Sequence, residues 1–128
     1  MSLLQRLRLA RARRACRLPL QRLDRIAPCD VASLEHHGEV AEQVRARFGA
    51  LDVYVANAGV ITLTPSQQVT PQEYDAQFNI NTRGVFFGVQ AITPLLRDGG
   101  SIILTSSLAA SKVLDGHAVY AGSKAAIA

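Results

Sequence analysis

Leu51-Asp52-Val53-Tyr54-Val55-Ala56-Asn57-Ala58-Gly59 is short, rich in β-branched residues and apolar apart from Asp52 until it stops at Asn57. A run of this kind predicts a strand covered on both faces, as in a parallel sheet. Upstream, Ser33 is placed to cap a helix from Leu34 to about Phe48, and Gly49 fits as its stop. Before that helix, Ile26 to Val31 reads as a short strand ending in a turn. Downstream, Thr70-Pro71-Gln72-Glu73 joins a capping hydroxyl, a proline at the first helical position and a glutamate at the third, the arrangement of a capping box. The helix it predicts, from Tyr74 to Leu96, sets Phe78, Val85, Val89, Ile92 and Leu96 at helical spacing, and Gly84 and Gly88 leave room for a close neighbour. Arg97-Asp98-Gly99-Gly100 is expected to break it, Ser101 to Thr105 to form a second buried strand, Ser106 to Gly116 a loop, and a last helix to begin near Val119. Strands alternating with helices imply an α/β chain with right-handed crossovers.

The length of 128 residues and a hydrophobic content of 48% suit one modest globular domain. No apolar run approaches the roughly 18 residues that cross a bilayer, and the N-terminus lacks the apolar core of a secretory signal. A soluble, cytoplasmic protein is the expectation. Cys16 and Cys29 lack companions for a zinc site or a disulfide framework, and His36, His37 and His117 lack metal-ligand partners at suitable spacing, so no metal is expected. His36 and His37 are assigned to a polar helix face.

The net charge of +4 is unevenly spread. Residues 1–25 hold eight arginines against Asp24, a local +7 that leaves −3 on the remainder. Such a lead could attract nucleic acid, an anionic membrane or an organelle import system. It has one hydroxyl residue, Ser2, no aromatic residue and poor hydrophobic periodicity, and these facts weaken each of those readings.

Near the other end, Val119-Tyr120-Ala121-Gly122-Ser123-Lys124 sets a phenol and an ammonium four residues apart, on one helix face. A phenol titrates near pH ~10, so it serves as a base at neutral pH only when a neighbouring cation favours the phenolate. The spacing therefore suggests a proton-transfer site.

Five blocks follow one another in order: Cys29-Asp30-Val31, Leu51 to Gly59, Phe78-Asn79-Ile80-Asn81-Thr82-Arg83-Gly84, Gly100 to Ser107, and Tyr120 to Lys124. Over roughly residues 26–128 they resemble the short-chain dehydrogenase/reductase family. They correspond to its DV, NAG, catalytic Asn, catalytic Ser and Y-x-x-x-K motifs. The resemblance implies a partial Rossmann-like, doubly wound parallel sheet in a three-layer αβα arrangement, incomplete at both ends. It also implies hydride transfer between NAD or NADP and a small carbonyl or alcohol substrate. Tyr120 would be the general acid/base, and Lys124 would support it and hydrogen-bond the nicotinamide ribose. Ser107 would donate to the substrate oxygen, and Asn81 would anchor a water chain leading to Lys124. Asn57, Ala58 and Gly59 would let the adenosine ribose approach the backbone, Asp30 would accept from the adenine amino group and Val31 would pack on the ring. Ala56 stands where the family commonly has a second Asn. On local pattern alone, Asp30 reads equally as a helix-capping residue beside Ser33.

The same resemblance implies a homo-oligomer, dimer or tetramer, formed through the long helix and the Tyr120 helix. A fragment surviving as a non-catalytic interaction module through those helices is the alternative. The family's Gly-rich phosphate turn would precede Asp30, yet no glycine precedes Gly38. Residues 1–25 are therefore expected to be a lead outside the family pattern, disordered or produced by a misassigned start or a frameshift, with 26–128 a partial domain. Cofactor affinity and activity of this chain by itself are expected to be poor. Membrane and nucleic-acid partners are not expected.

Overall fold

The computed structural model describes residues 29–112 and 114–128. The Arg-rich lead and the first half of the strand expected before Val31 lie outside them. Cys29 to Val31 themselves enter a turn, not a strand: the Asp30 carboxylate accepts from the Ala32 amide at 2.9 Å, and the Ser33 amide donates to the Asp30 carbonyl at 2.9 Å. An aspartate that bonds its own backbone two residues on favours a turn over an extended chain.

Helix α1 (Leu34–Phe48) follows, with Ser33 accepting from His36 N and Gly49 closing it at φ 73°. Strand β1 (Leu51–Ala56) leads through a long connection to α2 (Pro71–Phe78), whose capping box is complete: Thr70 accepts from Glu73 N, and the Glu73 side chain accepts from Thr70 N. Hydrogen bonds from the Thr70 amide, then from the Thr64 and Thr70 hydroxyls, hold the Glu73 carboxyl below its ordinary value. The expected single long helix is interrupted. Asn79–Gly84 forms a π-helical turn before α3 (Val85–Ile92), and a short 3₁₀ turn over Thr93–Leu95 ends it.

Arg97 to Gly100 do not separate helix from strand. Strand β2 runs over Leu96–Leu104, pairing parallel to β1 from Leu51↔Leu96 and again from Val53↔Ser101, with an irregularity between these pairs. Arg97 reaches both oxygens of Asp52 at 2.7 Å across that irregularity, and Gly99 takes φ 78°. A glycine-bearing bulge within a strand thus replaces the expected break. A 3₁₀ turn at Leu108–Ala110 and the last helix, α4 (Ala118–Ala125), complete the described chain.

The sheet is β1–β2, and the apolar core gathers Ala41 of α1 with Ile92 and Leu95, flanked by Tyr54, Val44 and Leu51. Tyr54 and Ala56 turn toward α3, whereas Val53 and Val55 are 50% and 51% exposed. The expectation of a strand covered on both faces is met on one face only, because the described helices that pack on β1 leave alternate residues uncovered.

The helix glycines are required by contact. A Cβ on Gly84 would lie 2.5 Å from the Val31 carbonyl oxygen, and one on Gly88 would lie 2.7 Å from the Tyr54 hydroxyl. Gly84→Ala is expected to destabilise the protein by about 1–3 kcal/mol, since the backbone of the Val31 turn has to move away. Urea unfolding of the variant measures this, and a change below about 0.5 kcal/mol, the level of a surface substitution, would contradict the packing described. His37 also departs from the sequence reading. It is 7% exposed, and its Nε2 donates to the Val31 carbonyl at 2.9 Å, so it faces inward and secures that turn.

Candidate active site

Both strands deliver their C-terminal ends to one place, the side of a parallel α/β sheet where ligands bind. There the Thr105 amide extends the ladder to the Ala56 carbonyl at 3.1 Å, and the Thr105 hydroxyl donates to Asn57 Oδ1 at 3.0 Å. The turn Asn57-Ala58-Gly59 is thereby tied to the segment that leads into Ser107.

Lys124 is buried, 4% exposed, and its Nζ donates to the Thr105 carbonyl at 2.7 Å. A buried ammonium needs such acceptors. Gly59 is what admits it: a Cβ there would fall 3.1 Å from Lys124 Nζ and 3.2 Å from Asn81 Oδ1. Gly59, Asn81 and Lys124 therefore converge.

Asn81 is fully buried in the π-helical turn. Its Nδ2 donates to the Val60 carbonyl and to Ser123 Oγ, each at 2.9 Å, and its Oδ1 accepts from the Val60 amide at 2.8 Å. Both amide protons are committed to protein acceptors, so the Asn81 side chain acts as a clamp. The second lone pair of Oδ1 and the local backbone are the groups left for the water chain that the resemblance implies. The π turn supplies the placement, an extra residue in the helical turn re-aiming the side chains that follow it.

Ser123, which the sequence analysis passed over, is fully buried. It accepts from Asn81, donates to the Tyr120 carbonyl at 2.8 Å, and receives the Thr82 hydroxyl on its own carbonyl at 2.9 Å. Ser106 is also more than turn chemistry, because its hydroxyl donates to the Lys124 carbonyl at 2.9 Å and ties the end of β2 to α4. Neither role had a sequence signal beyond a small hydroxyl residue beside a motif.

Ser107 is half-buried and accepts from the Ala109 amide at 3.2 Å. That bond uses a lone pair and leaves its own proton available to an incoming oxygen. Tyr120 is half-buried on α4, one turn before Lys124 on the same face, with the His117 ring 6.4 Å away edge-on.

Asp30 and Val31 stand apart from this group. Val31 borders a slot of ≈ 90 Å³ that is lined also by Tyr54, Ala56, Asn57, Ala58, Ile80 and Val85. Burial, then the nearby Cys29, pushes the Tyr54 phenol up, as expected of a wall away from water. Asp30 is exposed beside the slot, its Oδ1 engaged by the Ala32 amide. Capping of α1 falls to Ser33, and the Asp30 carboxylate bonds the Ala32 amide ahead of the helix, so the helix-capping reading of Asp30 is not met. Among the described residues no cluster of His, Cys, Asp or Glu could hold a metal ion, and no helix is long and apolar enough to cross a membrane.

Residues 5–128 match the family model described as enoyl-(acyl carrier protein) reductase. Similar curated proteins include the hydroxynaphthalene reductase-like protein Arp2 of Metarhizium brunneum, 41% identical over 99 residues that are 77% of this chain and 37% of that protein. Versicolorin reductase 1 of Aspergillus parasiticus is 48% identical over 89 residues, 69% of this chain and 34% of its own. The chain thus spans well under half the length of these relatives. Among solved structures, a short-chain dehydrogenase/reductase from Serratia marcescens superposes with a TM-score of 0.75 at 36% identity, over 77% of this chain and 46% of that one. A short-chain dehydrogenase from Burkholderia cenocepacia in complex with NADP gives 0.73 at 36% identity, over 77% and 41%.

Proposed function

The chain belongs to the short-chain dehydrogenase/reductase family of oxidoreductases, and from that premise we propose that its residues serve nicotinamide-dependent reduction of a small carbonyl compound, or the reverse oxidation of an alcohol. The observation that carries this reading is the convergence of Gly59 and Asn81 on Lys124, which shares helix α4 with Tyr120. The relatives named above are themselves named as reductases, and one solved relative holds NADP.

The residues present fit one end of such a cofactor. The slot between Val31 and the Asn57-Ala58 turn is narrow and mostly apolar, which suits a flat aromatic ring, and the exposed Asp30 carboxylate beside it suits an exocyclic amino group. NAD or NADP, when bound, supplies or takes up the hydride. Every other step belongs to the protein. Ser107 donates its free proton to the substrate oxygen and stabilises the charge that grows there. Tyr120 gives that oxygen a proton in reduction and removes it in oxidation. Lys124, fixed by the Thr105 carbonyl, sets a positive charge one helical turn from the Tyr120 side chain, where it offsets the charge that develops as the proton moves.

Isothermal titration of NADH and of NADPH into the monodisperse chain tests the proposal. Saturable binding of either, weakened by adenosine monophosphate, is the expected result, with affinity below that of a complete site. Absence of any binding at millimolar cofactor would count against a cofactor role for these residues. A self-associating form through α2, α3 and α4 is a second element of the reading. It is favoured by Tyr74 and Phe86, 47% and 63% exposed on the long helical stretch.

A further inference from the structure

After Gly59 the chain runs from Val60 to Thr64 without a strand partner. Alternate residues of this segment are held by side chains four apart on the neighbouring helix. Val60 exchanges two hydrogen bonds with Asn81, as described. Thr62 exchanges two with Gln77, its amide donating to Oε1 at 3.2 Å and its carbonyl accepting from Nε2 at 3.4 Å. The Thr64 hydroxyl donates to Glu73 Oε1 at 3.0 Å. The two spacings match, since two extended residues advance about 6.6 Å and four helical residues about 6 Å. Side chains thus supply the backbone pairing that a neighbouring strand would otherwise give.

Gln77 is the member with no role in the site so far. It is 2% exposed, at a helix position where an aliphatic side chain would be buried at no polar cost, yet its amide oxygen and nitrogen each bond Thr62. The segment it holds does not end at the helix. The Thr64 amide donates to the Gly116 carbonyl at 3.1 Å, and Gly116, at φ 69°, sits in the turn from which α4 starts. In that first turn the Ala121 amide donates to the His117 carbonyl at 2.7 Å, across Tyr120.

We propose that Gln77 is a positioning residue for Tyr120: it fixes Val60–Thr64 against α2, and through Thr64 and Gly116 it sets the start of α4. Its catalytic meaning rests on the oxidoreductase reading above, whereas the clamp rests on contacts alone. Gln77→Met keeps the side-chain volume and removes both hydrogen bonds. Amide hydrogen exchange followed by NMR is expected to quicken about tenfold at Thr62 and Thr64, and measurably at Ala121, while Val44 in α1 stays within about twofold. In an assay with NADH or NADPH, kcat is expected to fall by a similar factor with the cofactor KM unchanged. Exchange unaltered at Thr64 and Ala121 would overturn the proposal. So would equal quickening at Val44, which marks general loosening. An unsubstituted chain that binds neither NADH nor NADPH but shows the expected exchange pattern would support the clamp and sink the oxidoreductase reading, so the two fail separately.

Discussion

Replacing Tyr120 with Phe is expected to lower nicotinamide-dependent carbonyl reduction by about two to four orders of magnitude, the usual range for loss of a general acid or base, while leaving the fold intact. The substitution removes one oxygen from a half-buried ring, and among the described residues that oxygen holds no hydrogen bond. Its loss therefore leaves no orphaned partner, and the thermal midpoint should stay within about a degree or two of the parent. Initial rates with NADH and NADPH, measured beside a melting curve, separate the two effects. A variant that retains half the parent rate would show that the proton comes from another group, and the assignment of Tyr120 would be withdrawn.

Asn81→Leu should behave in the opposite way, with stability lost first. Asn81 is fully buried, and leucine would leave the Val60 amide and carbonyl and the Ser123 hydroxyl facing an apolar side chain. Each abandoned buried polar group costs about 1–3 kcal/mol, so a loss of about 3 kcal/mol or more is expected. Chemical denaturation gives the value, and Asn79→Leu, two residues away at an exposed position, is the control expected within about 0.5 kcal/mol of the parent. Parent-like stability for Asn81→Leu would mean that the three hydrogen bonds do not form in solution.

These contrasting expectations mirror what the sequence could disclose. Helix α1 was legible to the residue, because Ser33 and Gly49 mark its ends by local chemistry. The capping box at Thr70 and Glu73 was legible for the same reason. Gly84 and Gly88 announced close approach, and Val31 and Tyr54 are what approach them. The π-helical turn was not legible, since Phe78, Val85 and Ile92 keep a helical rhythm whether or not a turn is widened between them. Asp98-Gly99-Gly100 reads as a break because a bulge and a loop call for the same residues, and only the pairing of Leu51 with Leu96 tells them apart. His37 looked polar in one dimension and proves buried in three, its partner being a carbonyl six residues back. Motif spacing singles out Tyr120 and Lys124 as candidates, but the contacts that seat them, through Ser106, Thr105 and Ser123, depend on which segments lie side by side.

The largest of the fully buried side chains among the described residues, Asn81 and Ser123, are both polar, and every buried side-chain nitrogen or oxygen among those residues has a partner. The keystone of this molecule is thus a knot of directional bonds rather than a greasy centre. A saturation mutagenesis screen is consequently expected to split the candidate site into two populations. Positions 81 and 123 would score in an abundance assay, where even aliphatic replacements are depleted, and positions 107 and 120 would score only in an activity assay. Replacements at the second pair would keep the fold and lose the reaction, whereas replacements at the first would lose the fold itself.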